Sequence, residues 1–151
     1  MQLSYGQYGD VSIAGALHGI GPVVIDSLLA EEDIPVGYPV MLGTDTEKQV
    51  KKATTGASVV GIAVHDYARE QDNDGKVVYK KTKAVSVLKF GKIAVRTSKA
   101  VAAGSKANLT VADGTFTDAA ATTGIEAVTK VTITFLTATA AAGEIAIVEV
   151  K

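Results

Sequence analysis

Proton transfer and metal binding at neutral pH draw first on imidazole, and the chain has two, His18 and His65, far apart in sequence. His65 precedes Asp66, a pairing that a proton relay could use, but it closes an apolar run at residues 59–64, where a lone histidine reads as a turn residue. Glu70-Gln71-Asp72-Asn73-Asp74-Gly75 sets oxygens at alternate positions ahead of a glycine, as a calcium loop does. The twelfth position, which should carry a bidentate glutamate, is Lys81, and neither flank has a helical pattern. The segment therefore reads as a solvated turn, with a weak cation site at most. Gly19-Ile20-Gly21 meets Val24 where a phosphate loop needs its third glycine, and Gly104-Ser105-Lys106 reverses the Lys and Ser order of a nucleotide cradle. There is no Gly-x-Ser-x-Gly elbow, and the carboxylates are scattered. The expectation is a protein without catalytic, cofactor or metal residues.

Composition narrows the class further. Lys+Arg 15 against Asp+Glu 16 gives a net charge of −1, which disfavours binding along a nucleic-acid backbone. With no cysteine, disulfides, thiolate metal sites and thiol nucleophiles are excluded. Ala (23), Val (20) and Thr (16) dominate, and Trp is absent, so small and β-branched side chains must fill the core. No basic stretch followed by an apolar run opens the chain, so a leader is not expected and the start is read as Met1. Residues 131–150 are long enough to cross a bilayer but alternate in polarity around Gly143 and Glu144, which reads as two strands and a turn. No membrane partner is expected.

The elements follow from the punctuation. Residues 1–20 are rich in glycine without a sustained period, and are read as an N-terminal arm ahead of a single β-domain at 21–151. Val23-Val24-Ile25 is an apolar run that ends at the acidic cluster Glu31-Glu32-Asp33, expected to face water. Pro35, Gly37 and Pro39 forbid a helix and make a β-corner. Ser58-Val59-Val60-Gly61-Ile62-Ala63-Val64 reads as a buried strand, with Gly61 marking a bulge or a close backbone approach. Residues 84–90 and 92–97 are expected to be consecutive strands turned at Gly91, with Val85, Val87, Ile93 and Val95 inward. Val131, Ile133 and Phe135 share one face, and residues 144–150 form a closing strand. A helical turn has room only at 98–103 and 117–121. The fold class is all-β, a small antiparallel barrel or sandwich with an extended N-terminal arm.

The order of Ile34-Pro35-Val36-Gly37-Tyr38-Pro39-Val40, Thr55-Gly56-Ala57-Ser58-Val59-Val60-Gly61-Ile62-Ala63-Val64 and Lys83-Ala84-Val85-Ser86-Val87-Leu88-Lys89-Phe90-Gly91-Lys92-Ile93-Ala94-Val95 resembles the capsid cement, or decoration, proteins of tailed phages. Val101-Ala102-Ala103-Gly104-Ser105-Lys106 and the closing strand continue that order, so the resemblance covers roughly residues 22–151. It implies a non-enzymatic structural virion protein on the outer surface of an icosahedral head, made in the host cytoplasm. Its implied partners are the major capsid protein, whose neighbouring subunits it ties together, and further copies of itself, as a homotrimer rather than a dimer. The resemblance carries no site residues with it. Those expected to grip the capsid come from the arm, where Leu3, Tyr5, Tyr8, Ile13 and Leu17 are apolar groups with no evident fold of their own. The competing class is a β-module of a phage tail or baseplate, or a carbohydrate-binding module, although sugar platforms favour exposed aromatics and the five Tyr and three Phe are dispersed.

Overall fold

A computed structural model describes residues 14–19, 21–65, 70–71 and 77–151, with Glu70 and Gln71 described by backbone alone. In chain order the strands are β1 (Val24–Ala30), β2 (Ile34–Pro35), β3 (Pro39–Leu42), β4 (Gln49–Lys52), β5 (Gly61–Ala63), β6 (Glu70–Gln71), β7 (Val77–Tyr79), β8 (Ala84–Arg96), β9 (Asn108–Thr110), β10 (Thr115–Thr117), β11 (Ile125–Ala127), β12 (Ile133–Phe135) and β13 (Ile145–Val150). The main sheet has the order β1-β4-β3-β5-β8-β13-β12, and a further β1–β8 pairing closes β1, β4, β3, β5 and β8 into a five-stranded barrel. The chain is therefore all-β, as its β-branched composition and period-two runs require. Two small sheets, β10-β9-β11 and β2-β7-β6, hold the other strands of the described residues.

β8 organises the fold and departs from expectation. Gly91 does not turn the chain back: residues 84–96 run on as one 13-residue strand. Its first part pairs with β1 and its second part with β13, both antiparallel. The register with β1 slips between Val24 and Ile25, leaving Lys89 as the extra residue, and Gly91 follows with φ 139°. Such a bulge shifts the phase of side-chain alternation. Val85 and Val87 consequently point into a core shared with Ile34, Val40, Val50, Ala63 and Tyr79. Leu88, Ile93 and Val95 join a second core with Leu109, Phe116, Ile133, Phe135 and Val148. The four inward residues expected of this segment are all fully buried.

Elsewhere the glycine signal at 61 is a close approach. A Cβ there would lie 2.5 Å from the Leu88 carbonyl and 2.6 Å from Val87 Cγ1. Neither segment with room for a helical turn takes one. Val101 instead bridges Thr139 and the Asp118 carboxylate accepts the Ala102 N–H, while Thr117 is part of β10. The one helical turn among the described residues is a 3-10 turn at Gly56–Ser58, whose first N–H donates to Glu126 at 2.6 Å.

The acidic cluster also does more than face water. Glu31 accepts from the Thr44 N–H at 2.9 Å and hydroxyl at 2.5 Å, Glu32 from the Lys52 N–H at 3.0 Å, and Asp33 from the Lys81 N–H at 2.8 Å. Three consecutive carboxylates thus pin three separate segments at one end of the barrel. Backbone N–H groups left over where strands stop need acceptors, and these side chains supply them.

Candidate contact surface

The opposite end of β1 has a different character. Here the chain enters the described structure at residues 14–19, which lie antiparallel to the second half of β8. The Gly15 N–H donates to the Ala94 carbonyl at 2.7 Å, the Ala94 N–H to Ala16 at 3.0 Å, and the His18 N–H to Lys92 at 3.1 Å. Gly15 also accepts from the His65 N–H at 2.8 Å. Its φ of +87° and a would-be Cβ contact of 2.7 Å with the Gly37 nitrogen leave room for glycine alone. Of the segment read as an arm, residues 14–19 are therefore hydrogen bonded to the barrel. Leu17, one of the five expected contact residues, bridges Ile93 and keeps its side chain 44% exposed. Leu3, Tyr5, Tyr8 and Ile13 lie outside the described residues.

Between this segment and the bulge of β8 lies a cleft of about 210 Å³, lined by His18, Pro22, Val23, Phe90, Lys92 and Glu149 among others. Val23 and Val24 are half exposed, and Phe90, the register partner of Val24, is 38% exposed. Ile25 and Leu29 continue the exposed apolar side chains along β1. Solvent-facing Val and Phe at one strand end form a patch, unlike the scattered single apolar residues of an ordinary surface. Charge at this end is balanced: Asp26 pairs with Lys89 at 2.9 Å, and Glu149 pairs with Lys151 at 2.8 Å. The Glu149 carboxylate holds the Lys151 amine above its ordinary pKa through that hydrogen bond.

Among the described residues no group of three potential metal ligands converges. His65 is tied by its backbone to Gly15, while Asp66 falls outside the described residues, as do residues 72–76 of the acidic loop. Glu70 and Gln71 pair with Val78 and Val77, so the start of that loop is strand. Among the described residues no helix is long and apolar enough to cross a membrane.

The apolar patch was only half visible in the sequence. Val23-Val24-Ile25 stands out as an apolar run, but a run of that kind signals a buried strand as readily as an exposed one. The outward set Ile25, Ser27 and Leu29 emerges only once Leu28 and Ala30 are known to face the core that the barrel strands enclose.

Comparison with known proteins gives this surface its context. The family model described as structural cement protein (E217 gp24/Pam3 gp6) matches residues 1–151. Among solved structures, one described as the capsid of Myoviridae phage XM1 is similar at 19% identity with a TM-score of 0.69, covering 99% of this chain and 96% of that one. The head fibre gp8.5 N base of bacteriophage phi29 is similar at 11% identity with a TM-score of 0.55, covering 86% and 95%. These two likenesses concern the fold. None of the curated proteins matches the chain. Because the family model spans the sequence from first residue to last, the chain belongs to the phage structural cement proteins and is a structural component of the capsid.

Proposed function

We propose that this cement protein binds the outer surface of an icosahedral head and bridges neighbouring major capsid protein subunits through the apolar end of its barrel. The observation that carries this reading is the group of exposed apolar side chains Leu17, Val23, Val24, Ile25 and Phe90, of which Val23 and Phe90 line the cleft, set opposite a charged end pinned by Glu31, Glu32 and Asp33. β1 joins the two ends across about 20 Å, so the molecule is polarised along one strand. Burying the apolar end against the shell removes it from water, and the charged end faces solvent. Leu3, Tyr5, Tyr8 and Ile13 of the arm extend the same contact. A homotrimer, in preference to a dimer, multiplies a modest contact at each symmetric junction. Synthesis in the host cytoplasm, the lack of a catalytic role and the lack of nucleic-acid or membrane partners belong to the same reading, supported by the near-neutral charge.

Sedimentation with purified expanded heads lacking the protein tests it. Wild-type chain is expected to pellet with heads in a saturable, fixed ratio, and the double substitution Val24→Lys with Phe90→Lys to remain in the supernatant while keeping its β-sheet circular dichroism. Equal pelleting of both would refute the assignment of this end.

A further inference from the structure

The cleft beside the β8 bulge owes its existence to missing side chains. Gly19, Gly21 and Gly91 are among the residues that line it. Gly19 and Gly91 take φ of +76° and +139°, a region that L side chains rarely adopt. A Cβ on Gly91 would lie 2.9 Å from Val23 Cγ1, and one on Gly19 3.6 Å from Lys92 Cδ, so Val23 and the Lys92 stem pack directly against these two glycines. Gly21 differs from both. Its φ lies outside the left-handed region, and no atom stands within 4 Å of where a Cβ would be. Pro22, Val23 and Phe90 give the cleft its apolar lining.

Size selects the class of occupant. A cavity of roughly 150 Å³ takes up one benzene ring, whereas small-molecule sites run from about 300 to 1,000 Å³. At about 210 Å³ the cleft has room for one large side chain and is too small for a cofactor-sized molecule. Pockets that bury a single anchoring side chain are where the binding energy of protein–protein contacts concentrates. Charge adds a second requirement. Lys92 lines the cleft with Glu149, its register partner on β13. The Glu149 carboxylate is engaged by the Lys151 amine at 2.8 Å, so two lysines stand beside one carboxylate. An incoming carboxylate complements that excess of positive charge.

We propose that the cleft is the socket for one large apolar side chain of a capsid-protein segment, and that an acidic residue next to it in that segment meets Lys92. The inference rests on the capsid contact assigned above to this end of the barrel, and it names the partner chemistry that the contact selects. The apolar lining holds the anchor, and Lys92 sets the register of the segment that carries it.

Titration of labelled full-length variants onto expanded heads lacking the protein tests both parts. Gly21→Leu puts a side chain into the open space at the cleft without backbone strain, and is expected to bind at least about tenfold more weakly than wild type. Lys92→Glu is expected to lose at least about tenfold, with Lys92→Arg recovering most of that loss. Each variant should keep the β-sheet circular dichroism of wild type. Zero-length carbodiimide coupling on decorated heads, followed by mass spectrometry of the linked peptides, identifies the occupant. Lys92 is expected to join an aspartate or glutamate of a capsid protein that neighbours a large apolar residue. A link to a second copy of this chain, or links confined to its own chain, would overturn the proposal. The two levels fail differently. Wild-type binding by Gly21→Leu and Lys92→Glu, beside loss of binding by Val24→Lys/Phe90→Lys, overturns the socket and leaves the contact face standing. Wild-type binding by all three removes the contact face and the socket together.

Discussion

Gly61 and Gly114 show how single atoms limit this fold. A methyl at Gly61 meets the Leu88 carbonyl and Val87, and one at Gly114 falls within the Tyr38 ring while φ is +69°. Burial pushes the Tyr38 phenol above its ordinary pKa, and Asp113 beside it adds to the effect. Gly61→Ala is expected to destabilise the protein by about 1–3 kcal/mol in urea unfolding, the cost of overpacking a filled site. Gly21→Ala, with no atom within 4 Å, is expected to be nearly neutral and serves as the control. The carboxylate of Glu31 is held below its ordinary pKa of 4.5, first by the Thr44 hydroxyl and then by the Thr44 N–H. A group whose pKa is depressed by folding stabilises the native state above its unfolded pKa, and that contribution fades as pH falls through the folded value. Melting temperature should therefore fall on acidification below pH 4.5, and the gap between wild type and Glu31→Gln should narrow over the same range. A gap that widens on acidification would contradict the Glu31 clamp.

β8 shows which elements a sequence reveals. Its inward residues Val85, Val87, Ile93 and Val95 were legible because period-two alternation is local information. The continuity of the strand through Gly91 was not, since a glycine between apolar runs marks a turn or a bulge equally well, and the choice depends on β1 and β13, distant in sequence, pairing with the two halves. The same limit hid the role of Glu31, Glu32 and Asp33: their charge predicted exposure, but their acceptors' partners sit on β4 and on loops thirteen to forty-eight residues away. Contact residues were still harder to read. Exposure of Val24 and Phe90 is a property of the paired strands, and only Leu17 among the five expected residues falls within the described structure. If Gly91 holds the bulge, Gly91→Ala should cost about 1–2 kcal/mol, because an L-residue is strained at φ 139° and its Cβ would lie 2.9 Å from Val23 Cγ1. Amide exchange in that variant should quicken around residues 90–93 before it does in β12. Uniform quickening across the whole sheet would assign Gly91 to global stability instead.

At the scale of the molecule, polarity along β1 gives a cement protein an orientation. A barrel with an apolar end and a carboxylate-pinned end has one face suited to a protein shell and one suited to water. Each large side chain buried against the shell is worth about 1.5–3 kcal/mol before ordering costs, so a few such contacts per copy, repeated across symmetric junctions, hold firmly. Light scattering on the protein bound to and released from heads should give a three-fold mass if the trimer is the working unit, and a monomer mass under all conditions would remove it. The central claim, that the apolar end meets the shell, is tested most directly by titrating labelled protein onto expanded heads lacking it. Wild type is expected to bind saturably, and Val24→Lys/Phe90→Lys to bind at least about a hundredfold more weakly, the equivalent of two lost apolar contacts. Undiminished binding by that variant, with its fold intact, would contradict the account.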